Sequence, residues 1–170
     1  MIKYRLPLFL LFVGLILTGP HPFFLLRDFH THRTVAAVPV WPGDRFSVEW
    51  THSVELTPWR ETYEVAWPDG IRLIETAFRS FGAGVPTVFE HAKVRVQGGW
   101  VVVTGLDDRR DEVVYLISRD DYKLTVGAQT WRLPDLVPLD TSLEMSVAWR
   151  PWWYRVLFRP DGKDVKAVES

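Results

Sequence analysis

Between Arg45 and Trp149 large apolar side chains recur at every second position, a period that admits strands and excludes an amphipathic helix. Phe46, Val48 and Trp50 alternate with Ser47, Glu49 and Thr51, and Tyr63, Val65 and Trp67 alternate with Thr62, Glu64 and Ala66. Pro68-Asp-Gly70 then supplies turn chemistry. Ile71 to Arg79 alternates less cleanly, as a strand covered on both faces does. Ala92, Val94 and Val96 alternate with polar neighbours as far as Gly98-Gly99, and Trp100 to Thr104 resumes the pattern, which predicts a two-residue hairpin with a primed turn. Further strands are expected over Glu112 to Ser118, Tyr122 to Val126, Thr130 to Leu133 and Leu143 to Trp149. The expectation is an all-β chain: a single antiparallel β-sandwich, or a partly open barrel, of about nine strands.

The head of the chain follows a different rule. Lys3 and Arg5 precede a stretch from Leu6 to Leu26, 21 residues without Asp, Glu, Lys or Arg. At about 1.5 Å per residue such a helix would cross a hydrocarbon layer of ~30 Å. Pro20 and Pro22 would end that helix near Thr18 and Gly19, and the shorter length also suits a signal peptide. Prolines around Gly19 disfavour peptidase cleavage, so an uncleaved anchor is the preferred expectation. With the basic end inside, the remainder faces outward. The chain then divides into a transmembrane anchor or signal segment at 1–26, a membrane-proximal linker with a first strand at 27–44, a β-sandwich at 45–149, and a Trp/Arg-rich segment with a polar tail at 150–170. The expected address is the cytoplasmic membrane, with one N-terminal anchor and the domain facing the periplasm or exterior.

Composition removes several classes of function. A formal net charge of −1 leaves no footprint for a phosphate backbone, so no nucleic-acid partner is expected. The absence of cysteine excludes a thiol nucleophile, thiolate metal ligation, a disulfide framework and lipoprotein acylation. No cofactor is expected and no enzymatic role is assigned, because no nucleophile can be placed against a base; His52 and Ser53 are neighbours on a strand and project to opposite faces.

Three residues make the best candidate site. If the first two strands of the 45–149 region form a hairpin, the simplest register pairs Trp50 with Tyr63 and Val48 with Val65, although it sets Glu49 against Glu64. Any register that keeps the apolar face inward gives His52 the parity of Trp50 and Glu61 the parity of Tyr63, so both face the core at the hairpin mouth. Glu55 in the loop would join them. The trio reads either as a general base or set of metal ligands, or as a buried pair that closes the hairpin. Gly82 and Gly84, with Pro86 fixing the exit, form a second candidate contact loop that lacks the ending of a nucleotide-binding loop. His30 and His32 have a spacing that can hold a metal but no third ligand, and Asp107 to Glu112 reads as a wet loop of mixed charge.

The His52-Ser-Val-Glu55 strand end and the downstream Phe81-Gly-Ala-Gly-Val-Pro86 loop together resemble the bacterial family called domain of unknown function eighteen-fifty. The resemblance runs from roughly Phe46 to Leu133. It implies a small extracytoplasmic, mostly β protein, of a kind often encoded beside the membrane and binding-protein components of tripartite ATP-independent periplasmic (TRAP) transporters. It therefore implies a docking or assembly role beside a TRAP-type transporter of the TAXI subclass, with the permease or its solute-binding protein as partner. The alternative expectation is a ligand- or metal-binding sandwich using His52, Glu55 and Glu61. Near the end of the chain, Trp152, Trp153 and Arg155 are residues that settle at a bilayer surface or at a binding hot spot, and they serve equally well as a cap on the sandwich.

Overall fold

Strands dominate because the two-residue period runs through nearly the whole body of the chain. The computed structural model describes residue 14 and residues 19–66, 68, 70–79 and 92–160. Eleven strands are present among these: β1 (Pro20–Asp28), β2 (Thr34–Pro39), β3 (Arg45–Thr51), β4 (Pro58–Val65), β5 (Ile71–Phe78), β6 (Lys93–Gln97), β7 (Trp100–Arg110), β8 (Glu112–Ile117), β9 (Lys123–Val126), β10 (Gln129–Arg132) and β11 (Thr141–Pro151). One turn of helix, α1 (Tyr154–Leu157), follows. No helix among the described residues is long and apolar enough to cross a membrane.

The strands form two antiparallel sheets. The small sheet has the order β2-β1-β11-β8 and the large one β10-β9-β3-β4-β5-β7-β6. Their facing sides bury Phe24, Leu26, Leu143 and Met145 against Phe46, Val48, Tyr63 and Leu124. The Phe46 ring lies 4.6 Å from Phe24 and stacks on Tyr63 at 5.0 Å. Each such side chain removed from water contributes about 1.5–3 kcal/mol. The hairpin at Gly98-Gly99 forms as its sequence predicts: Gln97 pairs with Trp100, and both glycines take positive φ, 58° and 78°. Gly70 (φ 89°) is likewise required, since a Cβ there would lie 2.9 Å from the carbonyl oxygen of Arg110.

Three expectations are corrected. Pro20 to Leu26, read as the end of an anchor, is most of β1, which lies inside the small sheet between β2 and β11. The sandwich therefore starts at Pro20, and the expected linker is occupied by the end of β1, a turn and β2. The cause is burial on two sides. Phe24 and Leu26 face the large sheet, while Phe23 and Leu25 are covered by Ala148, Trp152, Tyr154 and Phe158, so the strand is apolar at consecutive positions and imitates a membrane segment. Secondly, His30 and His32 are not on an extended segment. Both sit in a tight turn in which the Asp28 carboxylate accepts the backbone N–H groups of His30 (3.0 Å) and Thr31 (2.8 Å), and the bond from Thr31 leads in holding that carboxyl below its ordinary range. Thirdly, Asp107 to Arg110 continues β7 instead of forming a loop; Arg72 on the neighbouring strand holds Asp107 at 3.3 Å.

All these strands run between two poles. At one pole lie the start of β1, the Trp41–Asp44 turn, the Val126–Gln129 hairpin turn and the end of β11. At the other lie the Asp28–Thr34 turn, the loop from His52 to Thr57 and the start of β11.

Candidate functional site

The hairpin of β3 and β4 carries His52, Glu55 and Glu61, and its register decides what each can reach. Phe46 pairs with Tyr63 and Trp50 with Trp59, so the strands are offset by four residues from the expected pairing of Trp50 with Tyr63. Electrostatics accounts for the difference. The expected register opposes Glu49 to Glu64, whereas the observed one opposes Glu49 to Arg60 and Glu64 to Arg45. The offset also shortens the loop, which is closed by His52 N–H donating to Thr57 O and Leu56 N–H donating to His52 O, both at 2.9 Å.

His52 and Glu61 consequently do not form a pair. The His52 ring stacks on Trp59 with centroids 5.3 Å apart, and its Nδ1 accepts the Glu55 backbone N–H at 3.4 Å. Glu55 thus meets His52 through its main chain. Glu61, one turn of the pleat further in, points at the core as its parity predicts and is bound there by phenols. Tyr63 donates to Glu61 Oε2 at 2.8 Å, and Tyr115, from β8 of the opposite sheet, donates to the same oxygen. The two hydroxyls are themselves 2.9 Å apart. Burial raises the pKa of both phenols above the ordinary range, and the neighbouring Glu61 carboxylate adds to it. Both rings stay neutral and keep their protons to donate. One carboxylate on the large sheet therefore ties the small sheet to it.

Around this group the large sheet presents an aromatic wall. Trp50 stacks on Tyr122 at 5.9 Å and meets Tyr115 edge-on at 5.4 Å, while Trp59 stacks on Phe78 at 5.1 Å. Thr76 is the register partner of Glu61, and Phe78 that of Trp59. Thr76 Oγ1 and Trp59 Nε1 are buried with no hydrogen-bond partner among the described residues. The face thus combines a carboxylate, two neutral phenols and two unengaged donors, which suits hydrogen bonding better than proton abstraction or metal ligation. Among the described residues no three His, Asp or Glu side chains are grouped to hold a metal.

The remaining candidates separate. Gly82, Gly84 and Pro86 lie outside the described residues. Trp152 is half-buried over the outer face of the small sheet, 6.3 Å from Phe23, with the Arg155 guanidinium 4.7 Å from its ring. Trp153 is exposed beside it. Tyr115, Thr76 and Trp59 were not among the expected site residues. Tyr115 and Trp59 each carry a polar handle on a large ring, which is the only local signal; their convergence on Glu61 and its neighbours depends on sheet order and register, which no short motif encodes.

A family model described as Domain of unknown function (DUF1850) matches residues 46–133. The match covers more than half of the 170 residues, from β3 to the turn after β10, and so includes the large sheet and β8. No curated protein and no solved structure matches the chain.

Proposed function

The chain belongs to the family described as Domain of unknown function (DUF1850), and from that premise we propose that it is a non-enzymatic, membrane-tethered extracytoplasmic accessory protein that docks or assembles a TRAP-type solute transporter of the TAXI subclass. One observation carries the tether. β1 begins at Pro20, immediately after the apolar head, so the head enters the fold at a defined pole and the opposite pole is held away from it. That far pole carries the loop from His52 to Thr57, whose tip exposes Val54 (65 %) and Leu56 (66 %). Two apolar side chains on a tightly closed loop make a small preformed contact surface for a permease or solute-binding protein. The transporter itself is suggested by the resemblance described above. A photo-crosslinking amino acid at Val54 in the native host, followed by detergent extraction and mass spectrometry, tests the reading. A transporter subunit among the adducts is expected; adducts lacking any transporter component would count against it.

A second reading, a ligand-binding module, is favoured by the buried Trp59 Nε1 and Thr76 Oγ1 beside Glu61. In this version Glu61 and these donors bind the ligand directly, and His52 and Glu55 shape the loop above. Native mass spectrometry of protein purified from its own host would show an extra mass lost on Thr76→Val; the bare chain mass alone would remove this reading.

A further inference from the structure

The pole where β1 begins has a composition of its own. Trp41 is 60 % exposed in the turn before β3, Trp153 is 46 % exposed just after β11, and Trp149 is exposed near the end of β11. His21 joins the first of these to the C-terminal segment, with ring centroids 6.4 Å from Trp41 and 5.0 Å from Trp152. Arg155 and Arg159 are exposed next to them and line a cleft of about 460 Å³ with Asp44 and the Val126–Gln129 turn. Exposed tryptophan and arginine in one patch is the composition of a bilayer interface.

Length supplies the second argument. With β1 starting at Pro20, only Leu6 to Gly19 remains of the charge-free head, 14 residues. As a helix of about 1.5 Å per residue it would extend roughly 21 Å, against a hydrocarbon layer of ~30 Å. In the sequence its last residue, Gly19, directly precedes β1. A span this short is accommodated by thinning the bilayer, by snorkelling of Lys3 and Arg5, and by drawing whatever is attached to its outer end into the headgroup layer. What is attached is the Trp/Arg pole. We propose that this pole is seated among lipid headgroups, with Trp41 and Trp153 in the interface and the arginines on lipid phosphates, so that the sandwich stands on the membrane with the His52–Thr57 loop uppermost. The inference rests on the tethered reading given above and adds an orientation to it.

The lack of cysteine makes the test clean. Full-length Trp153→Cys and Val54→Cys, each labelled with an environment-sensitive dye, are reconstituted into phosphatidylethanolamine–phosphatidylglycerol vesicles containing lipids quenched at the headgroup. Ala128→Cys, in the hairpin turn at the same pole, gives the same readout without removing a tryptophan. Quenching at residues 153 and 128 several-fold stronger than at 54 is expected. Equal quenching at both poles in protein that floats with the vesicles would overturn the orientation while leaving the tether. Failure to float would overturn the tether and the orientation with it. Shielding of residue 153 in native membranes but not in lipid vesicles would give the pole to a protein partner instead.

Discussion

Glu61 shows how one side chain can be placed correctly by sequence and partnered wrongly. Its parity with Tyr63 fixes the face it points from, since successive residues alternate across a strand. Its partner comes from β8, 54 residues away, and nothing within the hairpin announces that Tyr115 will arrive there. His52 fails as its partner because the register sets Glu61 opposite Val48 and leaves His52 beyond the last strand pair, where its ring stacks on Trp59. The phenols make a pH prediction. Burial holds both phenols above the ordinary tyrosine range, so the neutral ring is the form the fold favours. Their contribution to stability is complete below pH 10 and is lost as pH rises beyond it, where the unfolded chain releases protons that the folded one retains. An ultraviolet titration should therefore show Tyr63 and Tyr115 ionising only together with loss of the near-ultraviolet circular dichroism signal. Glu61→Gln should bring phenolate formation to lower pH. Reversible ionisation of all five tyrosines in folded protein would refute this account.

At the scale of elements, legibility follows solvent. Strands with one wet face, such as β3, β4 and β8, alternate in sequence; β3 and β8 fall within a residue or two of the expected bounds, while β4 starts at Pro58, inside the stretch expected as loop. The register of β3 against β4 was not, because hydrophobic parity is unchanged by an even offset, and only the charge pairs Glu49 with Arg60 and Arg45 with Glu64 separate one such register from the next. β1 hides for the opposite reason: covered by the large sheet on one side and by Trp152, Tyr154 and Phe158 on the other, it has no wet face to alternate. A chain cut at Asp28 would lose that strand and leave β2 and β11 without the neighbour between them. Such a truncation is expected to lack near-ultraviolet dichroism and a cooperative thermal transition, whereas one cut at Gly19 should retain both. Cooperative melting of the shorter form would show that β1 is dispensable.

For the molecule as a whole, the pairing of the first described strand with the last sets the order of events. Arg27 on β1 bonds Glu144 on β11 across 117 residues of sequence, and Ser146 Oγ completes the group by donating to the same carboxylate at 3.1 Å. Separations of that length make folding slow, because the loop must close before the contact is gained. Chains arrested at increasing lengths should leave β1 open to protease until Thr141 to Pro151 has been added, and protected from then on; early protection would contradict the scheme. A polypeptide whose opening strand must wait for its closing one emerges from the ribosome still pliable. For the small sheet, which needs both of those strands, such a delay would suit the outward threading that the function proposed above requires.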